Sequence, residues 1–161
     1  MRRSLGDATA VSPPVPAGVS VRTTTPDDAE ALAVLMDDAY RGAIDAEVGQ
    51  GLDDARQEIA RTFAGAYGEL MPEASFLASD GDEIISACLV TRFEGAPFIA
   101  FTMTRADRKG RGLSTALLTT TLKALAAAGE SHVDLVVTAG NEPAERIYAS
   151  LGFEVVDTLE H

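Results

Sequence analysis

Between Ser75 and Met103 the chain carries three short, mostly apolar runs, Ser75 to Ser79, Ile84 to Arg92 and Phe98 to Met103. The gaps between them, Asp80-Gly81-Asp82 and Glu94-Gly95-Ala96-Pro97, have room only for tight turns. Short apolar runs bounded by such turns read as three antiparallel strands in one sheet. The flanking segments change period. Val19 to Thr23 alternates as a strand, and Thr25-Pro26-Asp27-Asp28 is a helix start with a capping hydroxyl, a first-turn proline and dipole-matching acids. Leu32, Leu35, Met36, Ala39 and Tyr40 then fall on one helical face. After a glycine-bearing loop from Arg41 to Gly51, a second helix carries Leu52, Ala55, Ile59 and Phe63 and is expected to stop at Gly68. Beyond the strand block, a helix from Leu113 to Ala128 stops at Gly129 and Val133 to Val137 reads as a buried strand. Asn141 caps a short helix ending at Leu151-Gly152, and Phe153 to Asp157 is a last strand. The element order is βααβββαβαβ.

A chain of 161 residues, 46% of them hydrophobic, fits one domain with its own core. Residues 1–18 contain Pro13, Pro14, Pro16 and Gly18 and read as a flexible lead-in, with the domain proper over 19–158. Leu159-Glu160-His161 reads as a junction before a histidine tag and is set aside. The lone Cys88 lies in an apolar run and reads as a buried hydrophobe; it offers no disulfide, and no ligand cluster suggests a metal. No apolar window is long enough to span a bilayer and no signal segment follows Met1-Arg2-Arg3, so a cytoplasmic protein without a membrane partner is expected. The net charge of -12 argues against nucleic acid, whose phosphates need a basic face.

Against that acidity, Arg105, Arg108, Lys109 and Arg111 crowd into seven positions ahead of a helix. The run Arg108-Lys109-Gly110-Arg111-Gly112-Leu113-Ser114 reads as an anion-binding loop. Its two glycines let the backbone curl until consecutive N–H groups converge, and the helix that follows adds its positive end. The same turn serves equally as ordinary helix capping. Its spacing excludes the nucleotide-triphosphate loop and the dinucleotide fingerprint, since Thr115 stands where the latter needs a glycine.

Further on, Asn141-Glu142-Pro143-Ala144-Glu145-Arg146-Ile147-Tyr148-Ala149-Ser150-Leu151-Gly152-Phe153 puts Asn141, Ala144 and Tyr148 on one helix face. Taken with the loop, this pattern resembles the GNAT superfamily of acyl-CoA-dependent N-acetyltransferases. That superfamily carries [QR]-x-x-G-x-[GA] after a strand and N-x-x-A-x-x-x-Y-x-x-x-G-F near the end. The resemblance covers about residues 19–157. Lys109 replaces Gln or Arg, keeping the charge; Ser114 replaces Gly or Ala; Ala106 stands where a proline is usual.

The resemblance implies an α/β (α+β) fold with a mixed, mostly antiparallel central sheet flanked by helices. It also implies a cytoplasmic enzyme, monomer or homodimer, that moves an acetyl group from acetyl-CoA to a primary amine without a metal. The N–H groups of Lys109, Gly110, Arg111, Gly112, Leu113 and Ser114 would hold the CoA diphosphate, with Arg108 and Arg111 open to phosphate oxygens. Thr102, Met103 and Thr104 would pair with pantetheine as an added strand, Asn141 would meet its arm, and Tyr148 would protonate the departing thiolate. The last strand of the block contains no acid, and Glu83 and Glu94 are poorly placed, so a water relay is the expected base. Tyr40, Asp45 and Glu47 are candidates to attract the acceptor's ammonium group. Two other readings remain: a CoA-binding module without turnover, and a scaffold domain with no ligand.

Overall fold

A computed structural model describes residues 2–5, 17–40, 51–109, 111–136 and 142–154. In chain order the elements are β1 (Arg2–Ser4), β2 (Val19–Thr23), α1 (Ala29–Tyr40), α2 (Leu52–Phe63) and β3 (Glu69–Leu70). They continue with β4 (Phe76–Asp80), β5 (Glu83–Phe93), β6 (Ala96–Thr104), α3 (Leu113–Ala127), β7 (His132–Leu135) and α4 (Glu142–Ser150). The sheet order is β1-β7-β6-β5-β4-β2, with β3 pairing to β5 beyond the end of β4. Among the described strands only β6 and β7 pair in parallel, and the other pairs are antiparallel. The three-strand block therefore forms the expected meander, and the helix-linked strand after it makes the sheet mixed.

Helices cover both faces. On one face α1 and α2 bury Leu32, Leu35, Met36 and Ile59 against Leu77, Ala87 and Leu89; on the other, α3 lays Leu117, Leu118 and Leu125 over Ala78, Ile85, Cys88 and Val90. Leu77 and Ala78, neighbours on β4, go to opposite cores, as the pleat requires. The entry to α1 is fixed by charge. Asp28 accepts the Thr25 N–H at 2.8 Å and takes the Arg22 guanidinium on both oxygens at 2.7 and 2.9 Å.

Three expectations need correction. Residues 1–18 are not a lead-in throughout, because Arg2–Ser4 form a strand that pairs with β7 on one side and is bridged to Glu154 on the other. The second helix ends at Phe63 rather than Gly68. Gly68 instead lies where β3 approaches β5: its φ is +100° and a Cβ there would sit 2.1 Å from the Arg92 carbonyl oxygen. Of the last strand, Phe153 is outside any strand and Glu154 forms a single bridge to Arg2; residues 155–157 lie outside the described residues. Among the described residues no helix is long and apolar enough to cross a membrane, and no cluster of three or more metal-type ligands occurs.

Candidate active site

The site grows from a defect in β6. Pairing with β5 runs Leu89 to Phe101 and then Val90 to Ile99, leaving Ala100 as the extra residue of a bulge. Residues two apart on a regular strand share a face, yet Ile99 belongs to the core under α3 and Phe101 packs on the α1–α2 side. Just there the sheet opens. β6 and β7 pair only through Phe98 with Asp134 and Ile99 with Leu135, so among the described residues β6 from Phe101 to Thr104 has no strand on its β7 side.

Which groups face that opening follows from alternation. The Arg105 N–H donates to Ile85 O at 2.9 Å, which makes Ser86 and Thr104 a non-hydrogen-bonded pair in the antiparallel ladder. Thr104 and, two residues back, Thr102 therefore turn their backbone N–H and C=O outward. Met103, expected with them, does not: its carbonyl accepts from Ser86 Oγ at 2.9 Å, and its side chain is 2% exposed in the opposite core. Thr102 Oγ1 is buried with no hydrogen-bond partner among the described residues.

The loop after β6 is strapped to the body. Asp38 accepts the Ala106 N–H at 2.8 Å, Lys109 Nζ donates to Ala39 O at 3.2 Å, and Arg108 pairs with Asp80 at 2.9 Å. Arg105 pairs with Glu83 and with Asp107, which removes Glu83 from contention as a base. Glu94 sits in the β5–β6 hairpin turn with φ +53°. Of the four clustered cations Lys109 and Arg111 are exposed, and Arg111 alone makes no ion pair or hydrogen bond among the described residues. The expectation that Arg108 is open to phosphate does not match its bond to Asp80. Much of the local positive charge holds the loop in place.

What remains open is backbone. α3 begins after Gly112, a left-handed residue with φ +79°. No side chain caps the helix and its first turn holds no acid. The first bond back to the loop is Ala116 N–H to Gly112 O, so the amides from Arg111 to Thr115 have no partner among the described residues. Helix starts leave such donors unsatisfied, and with the dipole they form an anion site. Leu113 contributes only its amide, its side chain being 2% exposed in the core. Ser114 Oγ meets Thr104 Oγ1 at 2.7 Å, which meets Ser86 Oγ at 2.9 Å. Because Ser86 gives its proton to the Met103 carbonyl, each hydroxyl in the chain donates inward and Ser114 has no proton left for a phosphate.

Tyr148 lies on α4, half-buried on the core that α3 closes, its ring edge-on to Phe153 at 5.7 Å. The helix ends as expected, with Phe153 N–H donating to Tyr148 O at 3.0 Å and Gly152 left-handed. Gly110, Asn141, Asp45 and Glu47 lie outside the described residues, as does the side chain of Tyr40. Cys88 is buried, and burial pushes its thiol up to about 11, which rules out a thiolate nucleophile at neutral pH.

One constellation escaped the sequence. Tyr67 packs edge-on against Phe101 at 5.9 Å and its hydroxyl donates to the Glu58 carboxylate. Burial, then that hydrogen bond, holds the Tyr67 phenol above its ordinary range. A carboxylate thus stands one ring away from β6 on the α1–α2 side. Glu58 lies beside the apolar stripe of α2, where its charge reads as surface, and no local signal could have joined it to Phe101.

Known proteins complete the picture. The model of the acetyltransferase (GNAT) family matches residues 40–153. Mycothiol acetyltransferase of Streptomyces scabiei is 31% identical over 98% of this chain and 50% of its own length. The chain spans about half the length of the curated relatives it matches. A GCN5-related N-acetyltransferase from Sphaerobacter thermophilus superposes with a TM-score of 0.71 at 24% identity, over 94% of this chain and 45% of that one. The PaiA N-acetyltransferase from Thermoplasma acidophilum, solved with coenzyme A, gives 0.67 at 16% identity over 87% and 92%.

Proposed function

This chain belongs to the acetyltransferase (GNAT) family, and from that premise we propose that it transfers an acetyl group from acetyl-CoA to a primary amine by direct attack. The observation that carries the reading is the unclaimed row of amides from Arg111 to Thr115 at the head of α3, next to the opening between β6 and β7. A diphosphate is the group that suits converging amides and a helix's positive end. Lys109, Gly110, Arg111, Gly112, Leu113 and Ser114 hold it by backbone N–H groups, with the Arg111 guanidinium added. Arg108 serves the same site by fixing the loop to Asp80. Thr102 and Thr104 pair with the pantetheine amides by their outward backbone groups, and Asn141 meets the same arm from α4's side.

Acetyl-CoA supplies the acyl group as a thioester, already activated toward an amine. Outward backbone donors of β6 polarise the thioester carbonyl, and Tyr148 gives its proton to the departing sulfur. β6 has no acid, so water carries the proton away from the amine. The Glu58 carboxylate, held by Tyr67 and 3.9 Å from the Arg61 guanidinium, attracts the ammonium form to the α1–α2 side. The catalytic unit is residues 19–158 with the β1 arm added. Its net charge of -12 supports a reading without a nucleic-acid partner, and the reading places the enzyme in the cytoplasm with no membrane partner.

The lack of a carboxylate on β6 favours one other reading, a CoA-binding module without turnover. Calorimetry with acetyl-CoA tests the shared site: absence of saturable heat removes both readings. Thiol release against an amine panel, including the acceptor of mycothiol acetyltransferases, then separates them. Turnover with any amine supports the enzyme, and binding without release across the panel supports the module.

A further inference from the structure

Part of the sheet's α1–α2 side lies beyond those two helices. Among the described residues the core beneath them draws on β4, β5 and the second half of β6, and on nothing from β7 or β1. Which side chains stand on that remaining surface follows from alternation. Ile99, Val133 and Leu135 point into the opposite core, so Phe98 on β6, Asp134 on β7 and Val136 just beyond it turn to the α1–α2 side. Thr91, the register partner of Phe98, agrees: its hydroxyl donates to Tyr67 O at 2.7 Å. Phe93, two residues on from Thr91, shares that face, its ring 5.7 Å from the ring of Phe98.

These side chains form an apolar stripe that starts at the opening between β6 and β7. Phe98 lies one residue before the last pair the two strands make, and Phe101, edge-on to Tyr67, stands just past it. From Phe101 through Phe98 to Phe93 the stripe runs roughly 15 Å. Its outer members are open, with Phe93 44% and Val136 56% exposed, and a contiguous apolar surface of this kind marks a place where something apolar binds. Negative charge is offered at the inner end. Asp134, beside Phe98, is taken on both oxygens by Arg2 at 2.8 and 3.2 Å, whereas Glu58 stands behind Tyr67 and Phe101. Cations flank the stripe on both sides, Arg2 on Asp134 and Arg61 at 5.8 Å over the Tyr67 ring.

Resting on the reading of acetyl transfer at this opening, we propose that the acceptor is a monoamine with an apolar body the size of a ring or a short alkyl chain. Its nitrogen enters beside Glu58, and its hydrocarbon lies on Phe98, Phe93 and Val136. The nitrogen bonds the acetyl carbonyl carbon as the carbon–sulfur bond breaks, the amine proton leaves to water and the sulfur takes a proton from Tyr148. Hydrocarbon laid on the stripe leaves water on both surfaces. An amine rich in hydroxyls sets them against rings that offer no partner, and a polyamine brings a second ammonium group toward Arg61 and Arg2, charges of its own sign.

The test is thiol release at saturating acetyl-CoA with phenethylamine, hexylamine, ethanolamine, glucosamine and spermidine. The kcat/KM for the two apolar amines is expected about thirtyfold or more above that for the three polar ones. Phe98→Ser lowers kcat/KM for phenethylamine about tenfold through KM, and leaves ethanolamine and the KM for acetyl-CoA within about twofold, a split that a general loss of structure does not produce. Val136→Ser, at an exposed position, gives the same split should Phe98→Ser fail to fold. Preference for ethanolamine, glucosamine or spermidine, or an equal loss with every amine in these variants, overturns the proposed acceptor and leaves acetyl transfer standing. Saturable binding of acetyl-CoA without thiol release to any of the five is the distinct failure of transfer itself, and the proposal falls with it.

Discussion

Two arginines of the loop, Arg108 and Arg111, look alike in sequence but differ in their surroundings. Arg108 is spent on Asp80, whereas Arg111 is exposed without a partner among the described residues. We expect Arg111→Ala to raise the KM for acetyl-CoA about tenfold with kcat unchanged, the loss of one charge-assisted contact made equally in ground and transition states. Steady-state thiol release measures both parameters. Tyr148→Phe should behave the other way. Removal of a general acid lowers kcat by about a hundredfold or more, while calorimetric affinity for acetyl-CoA stays within about twofold; unchanged turnover takes Tyr148 out of the acid role. Ser114 lies in the family pattern, yet its hydroxyl closes the chain through Thr104 to Ser86. Ser114→Ala is therefore expected to lower stability by about 1 kcal/mol in urea unfolding and to leave acetyl-CoA affinity unchanged.

At the scale of elements, turn residues made the three-strand block legible and periodicity the helices, because each of those signals is local. Elements made by long-range pairing were not. Arg2–Ser4 and Glu69–Leu70 are too short to carry a period and exist only because β7 and β5 offer them an edge. The helix stop expected at Gly68 failed for a related reason: the glycine answers to the backbone of β5, not to the end of α2. Gly68→Ala should thus destabilise strongly, by about 3 kcal/mol or more, since both a left-handed φ and a backbone clash must be relieved. Gly112→Ala meets open space and only its φ of +79° is strained, so about 1 kcal/mol is expected. Paired chemical denaturation curves give the ranking, and a larger loss at Gly112 would contradict it.

Over the whole molecule, the excess of acids does not act as a uniform repulsion. Asp28 and Asp134 are held below the ordinary carboxylate value near 3.8, each chiefly by a hydrogen-bonded arginine, Arg22 and Arg2. A carboxylate whose folded pKa is depressed adds stability above its unfolded pKa and loses it as pH falls through the folded value. Stability should accordingly be flat between about pH 5 and pH 8 and decline below about pH 4, with the Asp134 share lost in Arg2→Ala. Urea midpoints across that range check the sign; a midpoint that rises on acidification would refute it.

The sequence by itself determined the strand meander, the helices α1 to α4, the helix start at the basic loop and the family, because turns, caps and hydrophobic periods are written within a few residues of where they act. Tertiary structure decided which cations were spent, where β6 bulges at Ala100, that Met103 faces away from the opening, and that Glu58 stands beside Tyr67 and Phe101. Each of these depends on partners tens of residues distant, whose approach is set by packing across the sheet and leaves no local trace.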